Sequence, residues 1–222
     1  MKAARSTLAA VALVAMAGAT VTAPALAKQP LKLGDTLPMA ETKMQNVDGK
    51  TVTLASAKGE KGTLVIFSCN GCPWVQAWQG RMVDLGNRFA KEGVGVVFVN
   101  SNDPTASKAD DFDAMKTRAK ELKMEFPYVV DATSDVARVF GATKTPEAYL
   151  FDAKAKRVYH GTIDDNAKAP DEDTATYLAD ALSAVTAGRE VPVAETKALG
   201  CTIKFRGGAP ASATSTEAKK ES

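Results

Sequence analysis

The chain has one histidine, His160, and three cysteines, Cys69, Cys72 and Cys201. A structural zinc site asks for about four nitrogen or sulfur ligands. These four residues show no zinc-like spacing, so a metal centre is not expected. The chain also lacks a charge excess. Without Lys2 and Arg5, which sit in the leader described below, the 28 basic residues fall to 26, equal to the 26 acidic ones. A near-neutral chain offers no electrostatic footprint for nucleic acid or an anionic membrane. There is no internal repeat and no stop-transfer pattern after the one long apolar run.

That run lies at the start. Lys2 and Arg5 form a basic segment, Leu8 to Ala17 is apolar, and Ala25-Leu26-Ala27 has the small-x-small form of a cleavage site. This is the pattern of a secretory signal, residues 1–27, cut after Ala27, which implies a periplasmic or secreted protein with no membrane anchor left after cleavage. From Gly207 the sequence is small and polar without a core-forming face, so residues 207–222 read as a disordered tail. The remaining 28–206 is one domain's worth of chain. An exported chain permits disulfides, and with three thiols one is left over or exchanges with a pair.

Within that domain the pattern is α/β. Lys43–Val47 and Thr51–Leu54 flank Asp48-Gly49, a hairpin signal. Thr63–Phe67 reads as a buried strand and Trp74–Lys91 as a helix whose Val75, Trp78, Met82, Leu85 and Phe89 share a face. Val94–Val99 is a second, all-apolar strand, as expected in a sheet covered on both sides. A helix over 110–123, a strand at Tyr128–Val130, a short helix capped by Ser134 and stopped by Gly141, strands 148–151 and 157–160, and a last helix from Asp173 or Thr174 to Gly188 follow. The alternation in the middle predicts right-handed βαβ units, and the late strand-turn-strand predicts an antiparallel edge. The expected architecture is a mixed central sheet with helices on both faces and an N-terminal β-hairpin extension.

The chemistry concentrates at Ser68-Cys69-Asn70-Gly71-Cys72-Pro73-Trp74. This Cys-x-x-Cys falls at a strand-to-helix turn. A thiol at a helix N-terminus meets unpaired N–H donors, so the thiolate is expected on Cys69, with Cys72 one turn on and near enough to close a disulfide. A static disulfide and half a zinc site are the alternatives to a redox pair. Thr145-Pro146 precedes a strand. An X-Pro bond there can be cis, leaving the backbone before it free to pair with an extended peptide. Trp74, just past Pro73, is a candidate for a peptide groove, whereas Trp78 at helical spacing reads as core. Cys201 reads either as an auxiliary thiol folding back on the pair or as a small residue anchoring a tail strand, Thr202–Phe205. Asp164-Asp165-Asn166 reads as a turn, with a polar site facing the cysteines as the alternative.

The ordered set of Phe67-Ser68-Cys69-Asn70-Gly71-Cys72-Pro73, Asn100-Ser101-Asn102-Asp103, Ala142-Thr143-Lys144-Thr145-Pro146-Glu147, Gly161-Thr162-Ile163-Asp164-Asp165-Asn166 and Gly200-Cys201-Thr202-Ile203-Lys204 resembles the thioredoxin superfamily, in its peroxiredoxin-like and TlpA-like branch with an AhpC/TSA-type redoxin domain. The resemblance spans about Gly34 to Phe205. It implies a thioredoxin-like fold and a thiol–disulfide oxidoreductase in which Cys69 attacks and Cys72 resolves. No bound organic cofactor is implied; the substrates would be protein disulfides or thiols, with a second redox protein as partner. Three departures matter. Gly71 stands where this group usually has histidine, which implies a less oxidising pair. Thr63 stands where thioredoxin has a buried aspartate, so Glu147 beside the proline is the candidate to take the Cys72 proton. Peroxiredoxins carry Pro-x-x-x-Thr-x-x-Cys, and the residues three before Cys69 and Cys72 are Ile66 and Cys69. A thiol peroxidase is therefore the first alternative function. The second is a copper-binding chaperone using the cysteines and His160.

Overall fold

A computed structural model of the chain describes residues 31–168, 171 and 173–207; the signal segment and nearly all of the tail lie outside them. The sheet has seven strands in the order β2-β1-β5-β4-β3-β7-β8. At its centre β3 (Gly62–Phe67) runs parallel to β4 (Val94–Asn100) and antiparallel to β7 (Glu147–Asp152). β4 pairs in parallel with β5 (Tyr128–Val130), and β8 (Arg157–Gly161) closes one edge. The hairpin β1 (Met44–Asn46) and β2 (Thr51–Val52) closes the other edge by pairing antiparallel with β5.

Alternation along β3 divides the core. Leu64 and Ile66 face one layer with α1 (Pro73–Lys91), α2 (Phe112–Glu121) and α4 (Tyr177–Thr186). Val65 and Phe67 face the other with α3 (Asp135–Phe140) and the buried Leu37 and Leu54. Both faces of β3 and β4 are thus covered, which is why these strands read as unbroken apolar runs. Among the described residues no helix is long and apolar enough to cross a membrane.

Three local features differ from expectation. Ser134 stands at the start of α3 in the left-handed region (φ 59°) and does not cap it. Its hydroxyl donates instead to Ser101 O (2.7 Å) and accepts from Arg206 N (2.9 Å), tying Arg206 to the residue that follows β4. α4 begins at Tyr177, later than predicted. The amides that would start it earlier are satisfied outside the helix, Asp173 N by Asp171 Oδ1 and Ala175 N by Asp165 Oδ1. The tail strand is short: β9 (Cys201–Thr202) pairs with β6 (Lys144–Thr145) as a separate two-stranded ribbon. Beyond it, Lys204 and Phe205 run against Asn102 and Asp103.

Candidate functional site

β3 ends at Phe67 and α1 begins at Pro73, a residue suited to a helix's first turn because it has no N–H to satisfy. Cys69 and Cys72 stand in the turn between them, with Cys72 at the N-cap position. Neither is in a disulfide, and both residues are nearly covered, at 2% and 3% exposure.

One residue of another element meets both. The Thr145 hydroxyl lies 3.2 Å from Cys69 Sγ, and the Cys72 thiol donates to the Thr145 carbonyl oxygen at 3.1 Å. The Thr145-Pro146 peptide bond is cis. The backbone before Pro146 is nevertheless not free: Lys144 pairs with Thr202 and Thr145 with Cys201. The edge expected to receive an extended peptide already holds a strand of this same chain.

A carboxylate that the sequence reasoning missed holds the turn. Buried Asp110 accepts from the amides of Asn70 (2.6 Å) and Gly71 (3.3 Å) through Oδ1, and from Asn102 Nδ2 (2.9 Å) through Oδ2. Asn70 adds a bond from its Nδ2 to Ala109 O (2.7 Å) and accepts from Tyr128 OH at 3.1 Å. The segment before Asp110 packs tightly over the turn, since a Cβ at Gly71 would come within 2.9 Å of Ser107 Oγ. No local pattern marks Asp110. Its neighbour Asp111 is the one that caps α2, through Ala114 N at 2.8 Å.

This arrangement changes where charge sits. The dipole argument placed the thiolate on Cys69. The first amides after Cys69, however, are spent on Asp110, and they bring a negative charge with them. The hydrogen bond with Cys72, then burial, then the Asp110 carboxylate all push the Cys69 thiol up. Cys72 is drawn well below an ordinary thiol by hydrogen bonds from Cys69 and Cys201, helped by the Val75 and Cys201 amides, which outweigh its burial. Cys201 itself, partly exposed, is pushed up to about 11 by burial and by its hydrogen bond to Cys72. Of the three, Cys72 is the thiol whose charged form its neighbours favour.

The other predicted residues lie as follows. Trp74 is 39% exposed at the start of α1, beside a groove of about 240 Å³ lined by Pro73, Ala77, Ala167 and Lys168. Its ring packs 5.6 Å from that of the fully buried Trp78. Glu147 does not turn toward Cys72. Its Oε2 accepts from the amides of Thr143 and Lys144 (both 2.8 Å), and its Oε1 takes Tyr149 OH (2.9 Å) and His160 Nε2 (2.7 Å). These bonds fix the backbone just before Thr145, so Glu147 supports the site from behind. The acid beside the pair is Asp110. His160 lies between Glu147 and Glu195 (Nδ1 to Oε1, 3.6 Å), turned to the carboxylates. Among the described residues no group of three or more His, Cys, Asp or Glu side chains is placed to hold a metal ion. Asp164 sits in the expected turn, but its side chain is buried rather than exposed. Its Oδ1 accepts from Trp78 Nε1 at 2.6 Å and from Asn166 N at 3.0 Å, and its Oδ2 pairs with Arg81 Nε at 2.9 Å.

The comparisons agree with this architecture. The chain matches a Geobacillus kaustophilus protein, solved as an uncharacterized conserved protein, at 36% identity over 80% of this chain and 94% of the other, with a TM-score of 0.73. It matches the hypothetical protein SMc02350 of Sinorhizobium meliloti 1021 at 30% identity over 81% and 98%, again with a TM-score of 0.73. Thiol-disulfide oxidoreductase ResA of Bacillus thuringiensis is 25% identical over 112 residues, 50% of this chain and 60% of that protein. The chain therefore spans about 60% of the length of this curated relative. The fold is thioredoxin-like. With residues 33–160 matching the AhpC/TSA family, and with these relatives alongside, the chain belongs to the AhpC/TSA family.

Proposed function

We propose that this protein is an exported thiol–disulfide oxidoreductase that reduces or exchanges protein disulfides through Cys69 and Cys72. The observation that carries the reading is the pair itself: two free sulfurs at a helix start, meeting the hydroxyl and the carbonyl of one residue, Thr145. The thioredoxin-like sheet beneath them and the resemblance to a protein named as a thiol-disulfide oxidoreductase support it. Export rests on the secretory pattern of residues 1–27. The cysteines carry the electrons, so the reading needs no organic cofactor, only a second redox protein.

The surroundings suggest a sequence of steps. Cys69 meets the Thr145 hydroxyl, which can donate to its thiolate, whereas Cys72 meets the Thr145 carbonyl, so Cys69 is assigned the attack. As a partner disulfide approaches, the shared proton passes from Cys69 to Cys72. Cys69 Sγ then attacks, one partner sulfur leaves as a thiolate, and a mixed disulfide forms. Cys72 gives up its proton and attacks Cys69 Sγ, releasing the second partner sulfur. Two electrons have passed from the pair to the partner, and two protons complete its thiols. Trp74 and its groove offer a surface for the substrate beside the pair.

Insulin reduction with dithiothreitol as electron source tests this. Cys69→Ser should abolish the catalysed rate, and Cys72→Ser should stop turnover while accumulating a mixed disulfide on Cys69. An undiminished rate in Cys69→Ser overturns the reading.

One observation favours a second reading, a thiol peroxidase. No hydroxyl stands three residues before Cys69, but that of Thr145 lies 3.2 Å from the sulfur. Peroxide oxidises Cys69 to a sulfenic acid, giving up one oxygen, and Cys72 then displaces water to form the disulfide. Saturable, Cys69-dependent peroxide consumption faster than insulin reduction would select it.

A further inference from the structure

The ribbon of β6 and β9 stands in front of the cysteine pair, and it is built rather than incidental. Register places Thr145 opposite Cys201 and Lys144 opposite Thr202, and Ile203 N donates to Thr143 O at 2.9 Å. Lys144 Nζ reaches Thr202 Oγ1 at 3.2 Å. The strand is held on both sides of Cys201. Upstream, Thr196 N donates to His160 O (2.9 Å), and Thr162 N to Thr196 Oγ1 (3.0 Å). Downstream, Ile203 is buried, Lys204 N donates to Asn102 Oδ1 (2.9 Å), and Arg206 N to Ser134 Oγ (2.9 Å).

The Thr145 carbonyl oxygen measures how close this strand comes. It is 3.1 Å from Cys72 Sγ on one side. On the other it would be 2.2 Å from a Cβ added to Gly200, so only glycine fits there. That approach sets Cys201 beside Cys72: it stands opposite Thr145, whose carbonyl oxygen Cys72 meets, and it packs on the same apolar cluster as the pair while staying partly exposed. The anchoring of the tail is done by Ile203 and the bonds beyond it. Cys201 is left free to do something else.

We propose that β9 is an internal substrate strand: it occupies the pairing edge before Pro146 and offers Cys201 to Cys72, so that the oxidised protein exchanges its Cys69–Cys72 disulfide for one between Cys72 and Cys201. This rests on Cys69 and Cys72 forming a redox pair, as proposed above. In the exchange the Cys201 thiolate attacks Cys72 Sγ, a new S–S bond forms, and the Cys69–Cys72 bond breaks. Cys69 leaves as a thiolate and takes up the proton that Cys201 gave off. No electrons enter or leave. The oxidising equivalent moves from two covered sulfurs to a disulfide with one partly exposed sulfur. There a reducing dithiol from the partner protein can attack, and its two electrons restore the thiols. Once Cys72 is in a disulfide its charge no longer opposes ionisation of Cys201.

Peptide mapping tests the exchange. The full chain and the variants Cys69→Ser, Cys72→Ser and Cys201→Ser are oxidised with oxidised glutathione, quenched in acid, alkylated and digested with trypsin. Cleavage after Lys61, Arg81, Lys197 and Lys204 leaves Cys69 and Cys72 in one peptide and Cys201 in another. The inference predicts a cross-link between these peptides in wild type, with one cysteine of the first alkylated. In Cys69→Ser it predicts the same cross-link as the main product, with less than a tenth of the protein holding glutathione. In Cys72→Ser it predicts none. A Cys69→Ser protein that keeps glutathione and forms no cross-link overturns the inference, as does a cross-link that survives in Cys72→Ser. In those cases an intact Cys69–Cys72 disulfide and insulin reduction by wild type and Cys201→Ser would leave the redox pair standing. Absence of any disulfide and any activity in wild type would sink the pair as well. Circular dichroism of each variant separates lost chemistry from lost fold.

Discussion

Replacing Gly200 with alanine should destabilise the protein, and the structure says by how much. The added Cβ would lie 2.2 Å from Thr145 O, 2.7 Å from Thr145 C and 3.2 Å from Pro146 N. All three are backbone atoms and cannot rotate aside. Comfortable contact needs about 3.5 Å, so β9 must move out by roughly 1 Å. Overpacking of this kind costs about 1–3 kcal/mol. For a domain of this size, about 2–4 °C of Tm accompanies each kcal/mol, giving a fall of roughly 2–12 °C. The sign is diagnostic, because glycine-to-alanine changes otherwise stabilise by about 0.4–1 kcal/mol through the unfolded chain. Gly80→Ala is the control: it lies within α1, and a Cβ there meets nothing within 4 Å. It should raise stability by about 0.5–1 kcal/mol. Thermal melts of both variants, with cysteine cross-linking of Gly200→Ala, are the assay. A Gly200→Ala protein that melts with wild type, and whose Cys72–Cys201 cross-link is undiminished, would refute the reasoning about how β9 is held.

Other predictions follow from the same contacts. Asp110→Asn removes the negative charge beside Cys69, so Cys69 should become alkylatable at lower pH than in wild type; an unchanged pH profile would mean that Asp110 only holds the turn. For Glu147, burial opposes ionisation, but His160 and the Thr143 and Lys144 amides prevail and hold its carboxyl below the ordinary glutamate value. Its folded value is the lower one, so it contributes stability above the unfolded value that is lost as pH falls through the folded value. Glu147→Gln should therefore flatten the loss of stability as pH falls below about 4.5, read by denaturant titration. Asp164→Asn leaves Arg81 without its buried partner; since Arg81 is partly exposed, about 1–3 kcal/mol is expected, with thiol titration unchanged.

How much of this was legible depended on whether the signal was local. The hairpin, β3, α1 and β4 each announce themselves through a turn pair, an apolar run or a helical stripe, and they appear within a residue or two of expectation. The Cys-x-x-Cys stood out for the same reason. Asp110 did not, because an aspartate in a polar stretch looks like every loop aspartate until the fold brings it 40 residues back to the Asn70 amide. The pairing of Thr145 with Cys201 was hidden too. Two-residue strands carry no periodicity, and nothing near Gly200 says which carbonyl it must pass. Asp-Asp-Asn read as a turn, and Asn166 N does bond back to Asp164, but only the fold reveals Trp78 and Arg81 behind it. The surroundings of the expected Cys69 thiolate were hidden for a related reason. The helix dipole was read correctly, but the amides that would express it were bonded to an acid from elsewhere.

The central claim is that Cys69 and Cys72 cycle as a two-electron pair. The most direct measurement equilibrates the protein with reduced and oxidised glutathione over a range of ratios and counts free thiols by mass after alkylation. The account predicts a single transition that removes two of the three thiols with a two-electron slope, tenfold for about 30 mV, and that loses its intramolecular disulfide in Cys72→Ser. Three thiols alkylated at every ratio, or an unchanged transition in Cys72→Ser, would contradict it.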